Sequence, residues 1–431
     1  MSSILVFGIG PYPTEAGAAV SGPTIRLRQF VEPLAAAGHD VSIVMLESRV
    51  RDAVEINGVK RAASLTPREI LEPWKALKAV ATPPVDAVFG VGSMMPVAAA
   101  ARMAVHLDKP CWIDYFGDPL AEFHAGISRP GVKSDLVLRD HIWRFVREGL
   151  TAGDRFSAVS MRQRDALLGQ LILLGKGTSG ATPHARAITI PCGVPESWTR
   201  PTSDPVFPSA LSELGLGPDS TYLYVGGSWT PWLDETRMGE LLGHLLATEP
   251  GLELVVRGGP AHDLAGHIRQ NFFAALGAKA PAGAVHEIDP REDVAEADLL
   301  AYASGTLLLD RDLPESHLGS RNRLLAFLRW GLSPVISTHS ELASELVAAG
   351  LATAAMAGDP VRAVLPIRQV LHRTSGERRE LRRRGLAYLR GVTFEETLKP
   401  VLEWVENPGR WPQAGDGEKD TLIAKWRRGG M

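Results

Sequence analysis

Ile4-Leu5-Val6-Phe7-Gly8-Ile9-Gly10-Pro11 is an apolar run that breaks at glycine and proline, and Leu34-Ala35-Ala36-Ala37-Gly38-His39-Asp40-Val41 closes the segment that follows it. The first reads as a buried strand, Ile4 to Gly8. Between the two, Thr24 to Ala37 has helical period and stops at Gly38, and Val41 to Leu46 is a second β-branched run. Strand, glycine loop, helix and strand in this order make a parallel βαβ unit.

The same alternation continues outward. Asp86 to Gly90, Pro110 to Tyr115, Arg155 to Val159 and Ala187 to Ile190 read as strands, with helices over Pro96 to Leu107, Ser134 to Thr151 and Met161 to Leu174. A Pro/Ser/Thr-rich stretch, Pro195 to Pro208, reads as a linker. The pattern then restarts with strands at Tyr222 to Val225, Glu253 to Val256, Val285 to Ile288, Gly305 to Asp310 and Ser333 to Ser337. The expected fold class is α/β, two Rossmann-like doubly wound parallel sheets facing a cleft. The expected domains are 1–200, 201–393 and a C-terminal helix and tail, 394–431, that packs back on the first domain.

Composition narrows the functional classes. The chain has 431 residues, 45% hydrophobic and 22% charged, as an ordinary globular protein has. Its formal net charge of -3 provides no global positive field for nucleic acid. Cys111 and Cys192, far apart, form neither a disulfide framework nor a metal clip, which points to a reducing cytoplasm. The first residues lack a basic n-region and read as a strand, not a signal peptide. No run has the eighteen apolar residues of a spanning helix. The 12 histidines lack metal-ligand spacing, so no metal is expected. Gly8-Ile9-Gly10 also lacks the third glycine of a dinucleotide fingerprint, because Pro13 stands there.

Five motifs, in order, carry a resemblance. The glycine loop followed by Gly22-Pro23-Thr24-Ile25-Arg26 and Leu34 to Val41 resembles the start of GT-B fold glycosyltransferases, especially the retaining family four. Ile190-Pro191-Cys192-Gly193-Val194 is similar to that family's "IPNGV", with Cys192 in place of Asn. Tyr224-Val225-Gly226-Gly227-Ser228 resembles its "xVGR" strand, and Leu254 to Pro260 its "LxIVGxGP" turn. Glu315 through Arg321-Asn322-Arg323 to Pro334-Val335 looks like its donor motif. Two departures stand out. Ala326 occupies the position of the glutamate that contacts the nucleotide ribose, and Ser228 replaces a cation that grips the donor diphosphate.

The resemblance implies transfer of a sugar, with retention and without metal or other cofactor, from a nucleotide-diphosphate sugar to a hydroxyl of a glycan, lipid-linked glycan or small molecule. The alternatives are a catalytically silent GT-B binding protein and a nucleotide-sugar epimerase. Such a transfer needs cations and N–H donors aimed at the departing diphosphate. The implied donor-side residues are Gly227, Ser228, Arg257, Gly258, Glu315, Gly319, Ser320, Arg321 and Arg323. Gly8, Gly10, Gly22 and Arg26 fall to the acceptor side. Arg257, Glu315, Asp118 and His124 are the candidate catalytic groups.

Each also has a plainer reading. Arg321 and Arg323 fit a solvated basic helix start, Arg257 an interdomain salt bridge, Glu315 a surface acid, and Asp118 and His124 satisfied loop residues. Trp229 and Trp232 fit packing as well as stacking on a base or sugar. Asp310-Arg311-Asp312 spells a metal-binding D-x-D by two letters only. The charged segment Glu377 to Arg390 reads as a solvated helix face, with contact to anionic lipid headgroups at the inner face of the membrane as its functional alternative.

Overall fold

Each apolar run of the sequence becomes a parallel strand in the computed structural model, which describes residues 1–12, 21–47, 56, 58–80, 84–129, 132, 135–176, 186–201, 207, 209–258, 263–277, 279–289 and 296–411. The first sheet holds β1 (Ser3–Ile9), β2 (Asp40–Leu46), β3 (Val59–Leu65), β4 (Ala87–Gly92), β5 (Cys111–Tyr115), β6 (Arg155–Ala158) and β7 (Ala187–Thr189), in the order β3-β2-β1-β4-β5-β6-β7. The second holds β8 (Thr221–Gly226), β9 (Leu252–Arg257), β10 (Val285–Ile288), β11 (Gly305–Leu308), β12 (Pro334–Ile336) and β13 (Thr353–Ala354), in the order β10-β9-β8-β11-β12-β13. Every strand pair is parallel. The fold class is therefore the one the pattern predicts. The edge strands β3 and β13 escape the sequence reading, one because Lys60, Arg61 and two alanines dilute its apolar pattern, the other because it has two residues.

Strand order reverses between β1 and β4 and again between β8 and β11. At such switch points the loops leaving neighbouring strands part, and a crevice opens at the carboxyl edge. The loops after β1, β4, β8 and β11 therefore line the places where a ligand can enter.

The Phe394–Glu406 helix crosses back to the first domain. Leu398, Val401 and Val405, fully buried, join Ile4, Val6, Phe30 and Phe89 in one core. Each such side chain contributes roughly 1.5–3 kcal/mol by burial. Trp404 meets the edges of Phe89 and Trp112 at ring distances of 5.6 and 5.3 Å. Residues 412–431, which include most of the expected tail, lie outside the described residues. Among the described residues no helix is long and apolar enough to cross a membrane.

Several hydrogen bonds tie the domains together. The buried Arg129 donates to Glu235 at 2.5 Å and to the carbonyls of Pro231 and Leu233. Ser160 donates to the Leu318 carbonyl at 2.7 Å, and Glu341 accepts from the amides of Met161 and Arg162 at 2.8 Å.

Arg26 corrects one expectation. Its guanidinium is fully buried and all five of its N–H donors are used: two on Asp114 at 2.7 and 3.0 Å, one on Gln29, and two on the carbonyls of Ile190 and Pro191. It ties the Gly22–Ala36 helix to β5 and to the segment after β7, and has no donor left for an acceptor substrate. Removing one partner of a buried pair strands the other charge, which typically costs about 3–5 kcal/mol. Asp114→Ala, which also deprives Ser157 of its acceptor at 2.6 Å, is expected to lower the urea midpoint of the first domain by a corresponding amount. A midpoint equal to the parent's would refute the strut role.

Candidate active site

The centre of the cleft is built on the chain that leaves β11. Asp310 and Arg321 come together here because the short Pro314–Leu318 helix folds the intervening residues back. Arg321 donates from Nε to Asp310 at 2.6 Å and from Nη1 to Glu315 at 3.2 Å, and its guanidinium lies 5.3 Å from the Trp232 ring centroid. All three charged groups are buried. Yet each keeps one polar atom without a protein partner: Asp310 Oδ1, Glu315 Oε2 and Arg321 Nη2. Buried polar atoms are ordinarily satisfied. Several together mark a place prepared for polar contacts from outside the chain.

The first domain supplies the opposite wall. Asp118 caps the Pro119–Ile127 helix, its Oδ1 accepting from the amides of Leu120 and Ala121 at 2.9 Å, while Oδ2 accepts from Gln170 at 3.0 Å. One turn on, Glu122 faces Glu315 across the interface. Burial first, then the Glu122 charge, pushes the Glu315 carboxyl up to about 8, with Arg321 opposing. Enclosure by both domains and the Asp118 charge push Glu122 up to about 7. Glu122 is exposed at the cleft, whereas Glu315 is 3% exposed and is kept protonated chiefly by desolvation.

Arg323 takes a different place from Arg321. It starts the Arg323–Arg329 helix and donates to the Gly226 carbonyl at the end of β8. Its guanidinium lies where a side chain on Gly227 would stand, and Gly227 has φ +98°, a conformation only glycine adopts easily. Gly226, Gly227, Ser228 and Arg323 line a recess at the β8/β11 switch point.

Other expected residues scatter. Arg257 ends β9, and its carbonyl accepts from the Gly227 amide at 3.0 Å. Gly258 packs against the Trp229 indole, and Trp229, 3% exposed and 5.1 Å from the Phe272 ring, is a packing residue. Gly319 lies beside Glu315 and Arg321, and Ser320 hydrogen-bonds the Cys192 thiol, which burial pushes up. Gly22 abuts Phe116, whereas Gly8 and Gly10 abut Leu27 and Glu47. His124 is exposed on the Pro119–Ile127 helix.

The sequence reading passed over Glu122 and the ion pair of Asp310. The available signal was the cap: an Asp118-Pro119 helix start puts Glu122 in the first turn, on the face that carries Asp118. The D-x-D spelling dissolves in the structure, since Asp310 pairs with Arg321, Arg311 donates to the carbonyls of Ser128 and Pro231, and Asp312 accepts from His317 at 2.6 Å. Asp312, His317 and His339 bring their ligand atoms within 4.8 Å of one another, the one group among the described residues with metal-ligand chemistry. Arg162, 3.4 Å from His317 Nδ1, adds positive charge there and works against a cation.

No family model matches the chain, and no curated protein does. Solved structures do match. An α,α-trehalose-phosphate synthase (UDP-forming) from Burkholderia xenovorans, in complex with glucose-6-phosphate, superposes with a TM-score of 0.70 at 12% identity, over 94% of this chain and 100% of that one. A sucrose-phosphate synthase from Thermosynechococcus elongatus gives 0.66 at 16% identity, over 94% and 98%. An E. coli structure described as trehalose-6-phosphate bound with UDP-2-fluoro glucose gives 0.67 at 12%, over 95% and 100%. At these identities the likeness establishes the fold, which is GT-B.

The carboxyl pair has a thermodynamic signature. A carboxyl raised above its ordinary value holds a proton in the folded chain that the unfolded chain has released. Its contribution to stability is full below the ordinary carboxylate range and is lost as pH rises through about 8 for Glu315. Glu315→Gln keeps the shape and removes the titration, so its melting temperature should decline less than the parent's between pH 5 and pH 8. Parallel melting curves would refute a buried protonated Glu315.

Proposed function

We propose that the protein is a glycosyltransferase that moves a sugar from a nucleotide-diphosphate sugar to a hydroxyl acceptor. The observation that carries this reading is the Asp310, Glu315 and Arg321 cluster, with its unpartnered polar atoms, at the β8/β11 switch point of a GT-B fold. Two of the similar structures are described with a glucose-6-phosphate and a UDP-sugar analogue, which supports a UDP-sugar donor and a small phosphorylated sugar as the first acceptor to test. Glycans and lipid-linked glycans remain in the acceptor class.

In this reading Arg321 Nη2 faces the diphosphate as charge grows on it. A preorganised cation in a water-poor site stabilises that charge without reorganising. Glu315, protonated near neutral pH, donates to a donor-sugar hydroxyl, and Glu122 accepts from an acceptor hydroxyl. Retention follows if the departing diphosphate takes the acceptor proton, because the acceptor oxygen then bonds to the anomeric carbon on the face that the diphosphate leaves. The chemistry asks for no metal and no cofactor, so turnover should survive EDTA.

A second reading, a silent GT-B binding protein, is favoured by the engagement of both expected cations: Arg321 is shared by two acids and Arg323 holds the Gly226 carbonyl. A thermal-shift screen of UDP-, GDP- and TDP-sugars separates the two, since a ligand of the native state raises the melting temperature by mass action. No shift with any donor at millimolar concentration refutes the enzyme reading. With the donor identified, Arg321→Lys should lower kcat/KM by roughly 10²-fold, because a point charge cannot bridge two acids and a phosphate as a planar fork does. Activity within a few-fold of the parent would place the diphosphate elsewhere.

A further inference from the structure

At the opposite edge of the second sheet from the cleft, a cavity of about 130 Å³, open to solvent, is lined by Ser304, Ser333, Trp330, Arg373, Arg378, Arg379 and Arg382. Ser304 precedes β11 and Ser333 precedes β12, so the cavity sits at the amino ends of the strands whose carboxyl ends carry Asp310 and His339. Gly331, at φ +71°, brings the Ser375–Arg390 helix so close that a side chain there would strike Arg382 and the Arg378 carbonyl. Arg378 and Arg382, four residues apart, thus share the inward face of a helix whose composition suggested a solvated one.

Arginines outnumber every other polar residue type in the lining of this cavity. Trp330 lies between two guanidiniums, Arg329 at 5.2 Å and Arg382 at 5.7 Å. Glu377 stands beside Arg373 and acts on its charge. Glu380 is turned away, where it pairs with Arg383. Ser333, 3% exposed, has no partner for Oγ, and Arg373 Nη1 has none either. Burial lowers the affinity of Arg373 and Arg378 for their protons, and Arg378 itself adds to the effect on Arg373. The chain keeps the lining cations together and leaves a hydroxyl and a guanidinium N–H open among them.

We propose that this cavity binds the phosphoryl group of a small soluble phosphorylated metabolite, at a site separate from the cleft. Planar guanidiniums match phosphate oxygens in pairs, Ser333 adds a neutral donor, and the Trp330 face suits a sugar or base attached to the phosphate. Exposed Arg379 adds a further cation at the cavity, and its small volume suits a phosphate ester free in solution.

Pyrophosphate titrated into the full chain, followed by calorimetry and by tryptophan fluorescence, tests this. Saturable binding is expected. The double variant Arg373→Gln/Arg378→Gln should weaken it about ten-fold or more, the loss of at least one charge-assisted hydrogen bond. Arg383→Gln, on the outward face, should leave it unchanged, and Trp330→Phe should remove the fluorescence response. Binding that survives the double variant but is lost in Arg321→Lys belongs to the cleft and overturns the proposal. So does binding to phosphatidylglycerol vesicles in the absence of any binding to pyrophosphate. Relieved of like-charge repulsion, the ligand-free double variant should melt no lower than the parent. A melting temperature several degrees lower would mean that the arginines are struts and the cavity incidental.

Discussion

Among the described residues Arg321 is the cation buried between Asp310 and Glu315 and facing Glu122 and Asp118, and the arrangement of the cleft depends on it. Four acids from two domains meet at that point, and a single guanidinium cannot neutralise them. The electrostatic cost is met by protonation: Glu315 and Glu122 rise, while Arg321 donates to Asp310 at 2.6 Å. The wall on the first domain and the floor on the second therefore titrate as one unit. Anything that moves Arg321, including an incoming anion, changes the protonation of acids on both sides.

That coupling requires the domains to stay in register, which is the task of Arg129. It reaches from the first domain to two carbonyls and the Glu235 carboxylate of the second. Arg311 answers it from the other side by donating to Ser128. These arginines hold backbone carbonyls, not only acids, so the contact fixes geometry as well as charge. Glu122 and Glu315 face each other because the Pro119–Ile127 and Pro314–Leu318 helices are pinned on either side of this clamp.

The alternation of strands and helices was legible because buried parallel strands need continuous apolar runs, and β1, β2, β4 and β8 have them. β3 was not, because an edge strand is covered on one side only and tolerates Lys60 and Arg61. Glu315 and Arg321 entered the candidate site through their place in the donor motif after β11, and the structure sets the two side by side. Arg26 misled for a physical reason: an arginine at a helix start looks the same in sequence whether its partners are a ligand or Asp114, 88 residues away. Glu122 was hidden similarly, since its role depends on a helix of the other domain. Local chemistry can be read along the chain, whereas the pairing of distant charges is set by packing.

The charged clusters at the two edges of the second sheet differ in make-up, and helix direction helps to sustain both. In a parallel α/β sheet the helices run against the strands, so helix N-termini gather at the carboxyl edge and C-termini at the other. Free N–H groups favour acids and free carbonyls favour cations. Glu315 stands in the first turn of its helix and Asp118 and Asp234 cap theirs at the cleft edge. Arg329 ends the Arg323–Arg329 helix, and Arg373 follows the Leu365–Leu371 helix at the far edge. The helix ends offset part of the repulsion within each cluster without satisfying any single side-chain atom. The polarity of the fold thus sustains the acid cluster at the cleft and the arginine cluster behind it, each with polar atoms left over for a ligand of its own.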